Sequence, residues 1–189
     1  IGHQYALQAD FAHEGLGHGP GSCLVVGSPV FEALELQKNG WSVWYVDVRR
    51  PPDCGLNYVM MADAATQGMG DEVFDAASST CVLCHAGMGR YGDPVVERAD
   101  ELILKNMFRA LKHGALAAVT FGPVANTSMP MRLGNTHRIY NYETARRLVG
   151  QFRIVREAIL DTEKMKWVGE CEAAEVFGRD YLSMLLEKP

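Results

Sequence analysis

The chain has 189 residues, a mass of 20.8 kDa, 48% hydrophobic and 22% charged residues, and a formal net charge of −5. That length fits one ordinary domain, and the mixture can bury a full core, which excludes disordered, collagen-like and coiled-coil classes. No stretch approaches the roughly 18 apolar residues of a membrane span, and an acidic balance argues against a general nucleic-acid binder, which needs clustered Lys and Arg.

Residues 1–22 carry His3, His13, His18 and the run Gly17-His18-Gly19-Pro20-Gly21 with weak periodicity, which predicts an N-terminal arm or lid. Residues 23–189 are expected to form a single domain. Cys23 to Val26 is an apolar run ending at Gly27 and predicts a buried strand. Ser28 offers an N-cap and Pro29 a first helical position, so a helix is expected from Pro29 to Asn39, stopping at Gly40. A second strand, Ser42 to Val46, ends in Asp47, and a third, Tyr58 to Ala62, ends in Asp63.

Phe74 to Val82 predicts a fourth strand and Glu97 to Lys112 a helix with Leu104, Phe108 and Leu111 on one face and Gly114 past its end. Ala115 to Thr120 predicts a fifth strand, Tyr142 to Val149 a helix, and Phe152 to Leu160 and Tyr181 to Leu186 the last two strands, paired as an antiparallel edge hairpin. Strands alternating with helices imply a doubly wound α/β domain with a mostly parallel sheet.

The five cysteines, Cys23, Cys54, Cys81, Cys84 and Cys171, are an odd number in a chain too long to need disulfide staples, so a reducing, cytoplasmic compartment is expected. Cys81-Val82-Leu83-Cys84-His85 spells the c-type haem attachment pattern. The apolar run around it reads instead as the end of a buried strand, with core thiols.

In a doubly wound sheet, ligands bind beyond the carboxyl ends of the strands. Asp47 lies twenty residues after Gly27, the separation at which an acid can take the hydroxyls of a ribose, and Asp63 comes from the next strand end. The positive end of the following helix suits an anionic ligand group. The dinucleotide fingerprint G-x-G-x-x-G is absent after the first strand. From Arg90 to Arg156 there are eleven basic residues against five acidic ones, an excess that favours an anionic substrate.

The succession of a strand ending in Gly27, then Asp47, Asp63, Phe74-Asp75-Ala76, Leu111-Lys112-His113-Gly114-Ala115 and a terminal Glu187-Lys188-Pro189 resembles class I S-adenosylmethionine-dependent methyltransferases. Within that superfamily, Gly87-Met88-Gly89-Arg90-Tyr91-Gly92-Asp93-Pro94 and Asn135-Thr136-His137-Arg138-Ile139-Tyr140 resemble a poorly characterised methyltransferase-like family of unknown function. The resemblance implies a seven-stranded Rossmann-like sheet with its sixth and seventh strands antiparallel. It implies an S-adenosyl-L-methionine site with Gly27, Ser28 and Cys81 near the cofactor, Asp47 on the ribose and Asp63 on the adenine edge. The chain departs from the superfamily's first motif at Val25, Pro29 and Phe31, and has Cys84 where the related family has Glu.

Methyl transfer to a hydroxyl requires alignment and a proton acceptor. His85, with an ordinary pKa near 6.5, is the candidate base and His137 the second. Arg90, Tyr91, Asp93, Arg138 and Tyr140 are candidates for holding a small acceptor, by bidentate contacts in the case of the arginines. Asp93, Asp100, His85 and His137 match no recognised metal-ligand spacing, so no metal is expected. The expected activity is O-methylation of a polar or anionic metabolite such as a sugar derivative. The alternatives are a binding protein on the same fold that has lost catalysis, and a nicotinamide-dependent oxidoreductase.

Overall fold

The computed structural model describes residues 2–125, 131–162, 165–168 and 177–189. Cys171 lies outside them. In chain order the elements are α1 (Gly2–Leu16), β1 (Ser22–Val26), α2 (Val30–Lys38), β2 (Ser42–Asp47), β3 (Tyr58–Met61), β4 (Phe74–Ser79), α3 (Ala99–Ala110) and β5 (Leu111–Ala125). They continue with β6 (Met131–Leu133), β7 (His137–Ile139), α4 (Tyr142–Leu148), β8 (Arg153–Asp161), β9 (Lys166–Val168) and β10 (Phe177–Glu187).

The main sheet has the order β3-β2-β1-β4-β5-β10-β8-β9. Its first five strands pair in parallel, whereas β10 runs antiparallel to both β5 and β8. This is the expected Rossmann-like arrangement of seven strands, with the short β9 added antiparallel to β8 at the edge. The last long strand is not at the edge but is inserted between β5 and β8. A separate ribbon pairs β6 with β7.

Both faces of the sheet are covered, which is why its central strand β1 is apolar on both sides from Cys23 to Val26. Cys23 and Val25 of β1 point to one side, with Val43, Tyr45, Ala76 and Ala118, and meet Phe11, Ala12 and Leu16 of α1 and Ala33 and Leu36 of α2. Leu24 and Val26 point to the other, with Ala77, Ala117 and Val119, and meet Ile103, Leu104 and Met107 of α3. Residues 2–16, expected as part of an N-terminal arm or lid, form a helix packed on one sheet face. Among the described residues no helix is long and apolar enough to cross a membrane.

Three predicted boundaries move for physical reasons. β4 stops at Ser79 rather than Val82 because the Thr80 amide donates to Ser28 Oγ at 2.8 Å and Cys81 takes a left-handed φ of 61°. Helix α2 starts at Val30, and Ser28 is no cap: its hydroxyl is spent on Thr80. Helix α3 ends at Ala110 and the chain extends directly into β5, so Gly114 is not a helix stop. With φ at 77° it instead lies in the part of β5 where the register against β4 slips between Phe74 and Ala76.

Glu32, in the first turn of α2, is completely buried (0% exposed) beneath the β1–α2 turn. The Ser78 hydroxyl donates to its Oε1, while Oε2 has no hydrogen-bond partner. Burial pushes its carboxyl up to about 7, against the opposing hydrogen bond from Ser78. A carboxyl protonated in the folded state and ionised in the unfolded one loses stability as pH rises from the ordinary glutamate value towards 7. The loss should amount to about 3 kcal/mol across that window, taking roughly 1.4 kcal/mol per pKa unit. A histidine whose pKa is lowered on folding acts in the opposite sense over part of this window, so the fall is read as a difference: in thermal unfolding from pH 4.5 to 8, Glu32→Gln should gain steadily on the unaltered protein and be the more stable of the two at pH 8.

Candidate active site

The carboxyl ends of β1 to β4 meet at a cavity of about 90 Å³, bordered by Gly27, Asp47, Asp63, Cys81, His85 and Tyr91. Gly27 needs to be glycine twice over. Its φ is 58°, and a Cβ there would lie 2.7 Å from Val82 Cγ2. Its amide donates to Val46 O at 2.7 Å, which closes the β1 end against β2.

Asp47 is 8% exposed and already engaged. Its Oδ1 accepts from the Arg49 amide at 2.8 Å, and the Arg49 guanidinium lies 3.4 Å from both carboxylate oxygens. The Tyr45 hydroxyl, with one proton for two acceptors, sits 2.7 Å from Ser28 O and 3.2 Å from Asp47 Oδ2. Asp63 contrasts with it: Oδ1 accepts from the Ala65 amide at 2.9 Å, but Oδ2 is buried without a partner. Arg49 is a site residue the sequence reading passed over. Its trace is the Asp47-Val48-Arg49 spacing, which permits an Asx turn. Phe31 does not line the cavity and is 42% exposed.

The Gly-Arg-Tyr-Gly-Asp block is a self-organised loop. Gly87, Gly89 and Gly92 have φ values of 64°, 72° and 82°. Asp93 gathers the loop by accepting from the amides of Met88 (3.1 Å), Gly89 (3.3 Å) and Tyr91 (3.0 Å). Its carboxylate is thus occupied with backbone. Tyr91 lies under Arg49, whose guanidinium carbon is 4.2 Å from the ring centre, and presents an edge to His85 at 5.8 Å.

His85 Nδ1 abuts the Thr136 carbonyl, which can only accept, so the ring proton sits on Nδ1 and Nε2 carries the lone pair. Arg90 Nη1 donates to the same carbonyl at 2.9 Å. Burial pushes the His85 pKa down to about 4, with His137, Arg90 and Arg49 acting in the same direction and the Thr136 hydrogen bond opposing them. The expected value near neutrality is therefore replaced by an imidazole that is uncharged throughout the physiological range. His137 stands 4.3 Å from it, ring to ring, and its pKa is also lowered, by burial and then by Arg90.

Donor atoms of Cys84, His85 and His137 lie within 4.8 Å of one another. Arg90 Nη1, 3.2 Å from His85 Nδ1, sets a fixed positive charge against any cation there. Cys84 is a core thiol, pushed up to about 12 by burial, and Cys81 donates its S–H to Gln8 Oε1 of α1. The two cysteines of the haem-like pattern lie on a turn rather than at a strand end, and both are free thiols.

Of the residues expected at the site, Gly27, Asp47, Asp63, Cys81, His85, Tyr91 and Asp93 come together on this cavity. Ser28 lies beneath it, and Arg90 joins it through Thr136 and Tyr91. Arg138 and Tyr140 do not line it. Tyr140 is fully buried, with its hydroxyl 2.9 Å from both Asp100 Oδ2 and Leu83 O. Arg138 binds the backbone of the His85 turn, Nη1 donating to Leu83 O at 3.2 Å and to Ala86 O at 2.5 Å.

NMR titration of the histidine side chains should find His85 as the Nδ1–H tautomer, uncharged at pH 6 and titrating near pH 4. Arg90→Ala should raise that value by removing a neighbouring positive charge.

No family model matches the sequence. No curated protein sequence matches it significantly either. Among solved structures, the chain is similar over 98% of its length to 78% of the Burkholderia thailandensis 1,6-didemethyltoxoflavin-N1-methyltransferase, crystallised with its substrate and S-adenosylhomocysteine (TM-score 0.74, 16% identity). It is similar over 98% of its length to 80% of the [4+2]-cyclase SpnF (TM-score 0.74, 18% identity). It also resembles the Streptomyces coelicolor geranyl diphosphate C-methyltransferase, whose structure holds Mg²⁺, geranyl diphosphate and S-adenosylhomocysteine (97% of this chain, 77% of that one, TM-score 0.69, 12% identity). The protein therefore has the fold of the class I S-adenosylmethionine-dependent methyltransferases.

Proposed function

We propose that the protein is an S-adenosylmethionine-dependent methyltransferase that acts on an oxygen of a small polar or anionic acceptor. The observation that carries this reading is Asp63 Oδ2, a buried carboxylate oxygen without a partner at a strand-end cavity shared with Gly27 and Asp47. A purine amino group is the kind of donor that would satisfy it.

The residues fit the cofactor in part. Asp63 offers a free acceptor and Asp47 stands at a strand end but is held by Arg49, while the side of Gly27 that a Cβ would occupy is covered by Val82. A cavity of about 90 Å³ is well below the several hundred that a ligand of nucleoside size occupies. Binding thus requires Arg49, whose guanidinium stacks on Tyr91, to swing away from Asp47.

Bound there, S-adenosylmethionine would supply an electrophilic methyl group. The chain's own residues would hold the acceptor in line, exclude water and remove a proton. His85 Nε2 is the proton acceptor available, since Nδ1 is committed to Thr136. With a pKa of about 4 it is a weak base, so the acceptor hydroxyl must itself be acidic. Arg49 and Arg90 favour such an acceptor, because two guanidinium groups beside the reacting oxygen stabilise its ionised form. A phenolic or enolic hydroxyl, or one on an anionic metabolite, fits this setting better than a simple alcohol.

A second reading has its own support. The Arg49 contact to Asp47 and the narrow cavity are also what a binding protein on this fold would show after losing the cofactor, and the [4+2]-cyclase shows that neighbours of this fold are not all described as methyltransferases.

Calorimetry with S-adenosylmethionine, S-adenosylhomocysteine and NAD separates the readings. Heat with the two adenosyl compounds, weakened at least tenfold (about 1.4 kcal/mol) by Asp47→Asn, is the expected result. Heat with NAD alone would point to an oxidoreductase, and none with any of the three would leave the binding protein. Once an acceptor is found, His85→Ala should lower turnover about a hundredfold while leaving cofactor affinity within a factor of two.

A further inference from the structure

A second and larger cavity, about 820 Å³, opens beside α3 and α4. It shares no lining residue with the strand-end cavity. Helix α3 and the 82–87 turn stand between them: Ile103, Val82 and His85 face the first, whereas Asp100, Glu101 and Lys105 face the second.

The charges around it do not cancel. Glu101 is shared between Arg98 and Lys105, its Oε1 lying 3.0 Å from Lys105 Nζ. Asp100 accepts from Tyr140 and lies 3.7 Å from Arg138 Nε. Among the described residues, Arg132 and Arg147 have no acidic partner, and Glu97 is the one lining carboxylate without a basic one. Arg138 is only 8% exposed, and its Nη2 has no hydrogen-bond partner. Arg138 is one of the lining residues, and a guanidinium nitrogen shut off from water without an acceptor is costly to leave so.

We infer that this cavity is a binding site for a small polyanion bearing phosphate or carboxylate groups, separate from the strand-end site. Its anionic oxygens would meet Arg132 and Arg147 at the mouth and the unsatisfied Arg138 in the wall, with Thr144 and Gln151 as neutral hydrogen-bonding groups beside them. The same chemistry could come from a free phosphorylated metabolite or from an anionic arm of the acceptor itself.

The inference does not depend on the proposed methyltransferase activity, so it is tested without any adenosyl compound. Inorganic pyrophosphate is titrated calorimetrically into the full chain and into Arg132→Ala, Arg147→Ala and the double variant. Both arginines are exposed, and retained melting temperatures would show that the variants still fold. Saturable binding, weakened about tenfold by each substitution and retained in Arg49→Ala, is the expected result. Repetition in saturating S-adenosylhomocysteine separates the two sources: unchanged affinity fits a free metabolite, and a shift in affinity fits an acceptor arm reaching the cofactor site. Binding abolished by Arg49→Ala but not by the double variant would place the anion in the strand-end cleft and overturn the inference. Absence of saturable binding at millimolar pyrophosphate would also overturn it.

Discussion

The hydrogen bond from the Thr80 amide to Ser28 Oγ governs the geometry of the whole ligand-facing edge. It ties the end of β1 to the end of β4, two strands whose residues are about fifty positions apart in sequence. Because that amide is diverted from the sheet ladder, β4 ends, Cys81 turns left-handed and Val82 comes down on Gly27. The turn that follows, closed by His85 and Ala86 amides on Val82 O, carries His85 to the cavity. Removing the side chain of Ser28 would therefore disturb residues that it never touches. The glycine at 27 and the valine at 82 are complementary halves of one close contact, since neither tolerates a larger neighbour.

Around this turn the molecule concentrates polar groups that water does not reach. Glu32 and Gln8 approach from α2 and α1, and Asp63 from the end of β3, each with one atom left unsatisfied. Such groups are individually destabilising, and their gathering at strand ends rather than through the core is what a ligand site requires. The positive charges of Arg49 and Arg90 complete the setting. Burial lowers the pKa of both histidines, Arg90 adds to it at both and Arg49 at His85, and the two arginines make the opening attractive to anions.

Much of the fold was legible because strand and helix alternate with clear apolar runs and glycine stops. Gly27, Asp47 and Asp63 were placed by strand ends alone, since a parallel sheet delivers all its carboxyl ends to one edge. The parts that escaped depend on long-range partners. Helix α1 buries Gln8 along with Phe11 and Leu16, so its apolar stripe is interrupted and its periodicity weak. The apolar run Ala76 to Leu83 continues past the true end of β4, because the signal that stops it is a serine on another strand. Arg138 and Tyr140 sit two residues apart on a ribbon whose pairing lies in the tertiary structure. Their partners, Leu83 O, Ala86 O and Asp100, are some forty to fifty-five residues away. The three amides that Asp93 accepts are aimed by left-handed glycines, and a sequence does not carry amide directions.

The seating of α1 has a practical corollary for anyone shortening this protein. Phe11 packs against Trp167 at 5.4 Å and under Arg156 at 4.2 Å, Gly15 leaves room for Leu185, and Gln8 holds Cys81. An expression boundary drawn just before Ser22 would strip the apolar cover from one side of β5 and β10. It would also bare a thiol at the ligand-facing rim, yielding a sticky, oxidisable fragment in place of a minimal domain.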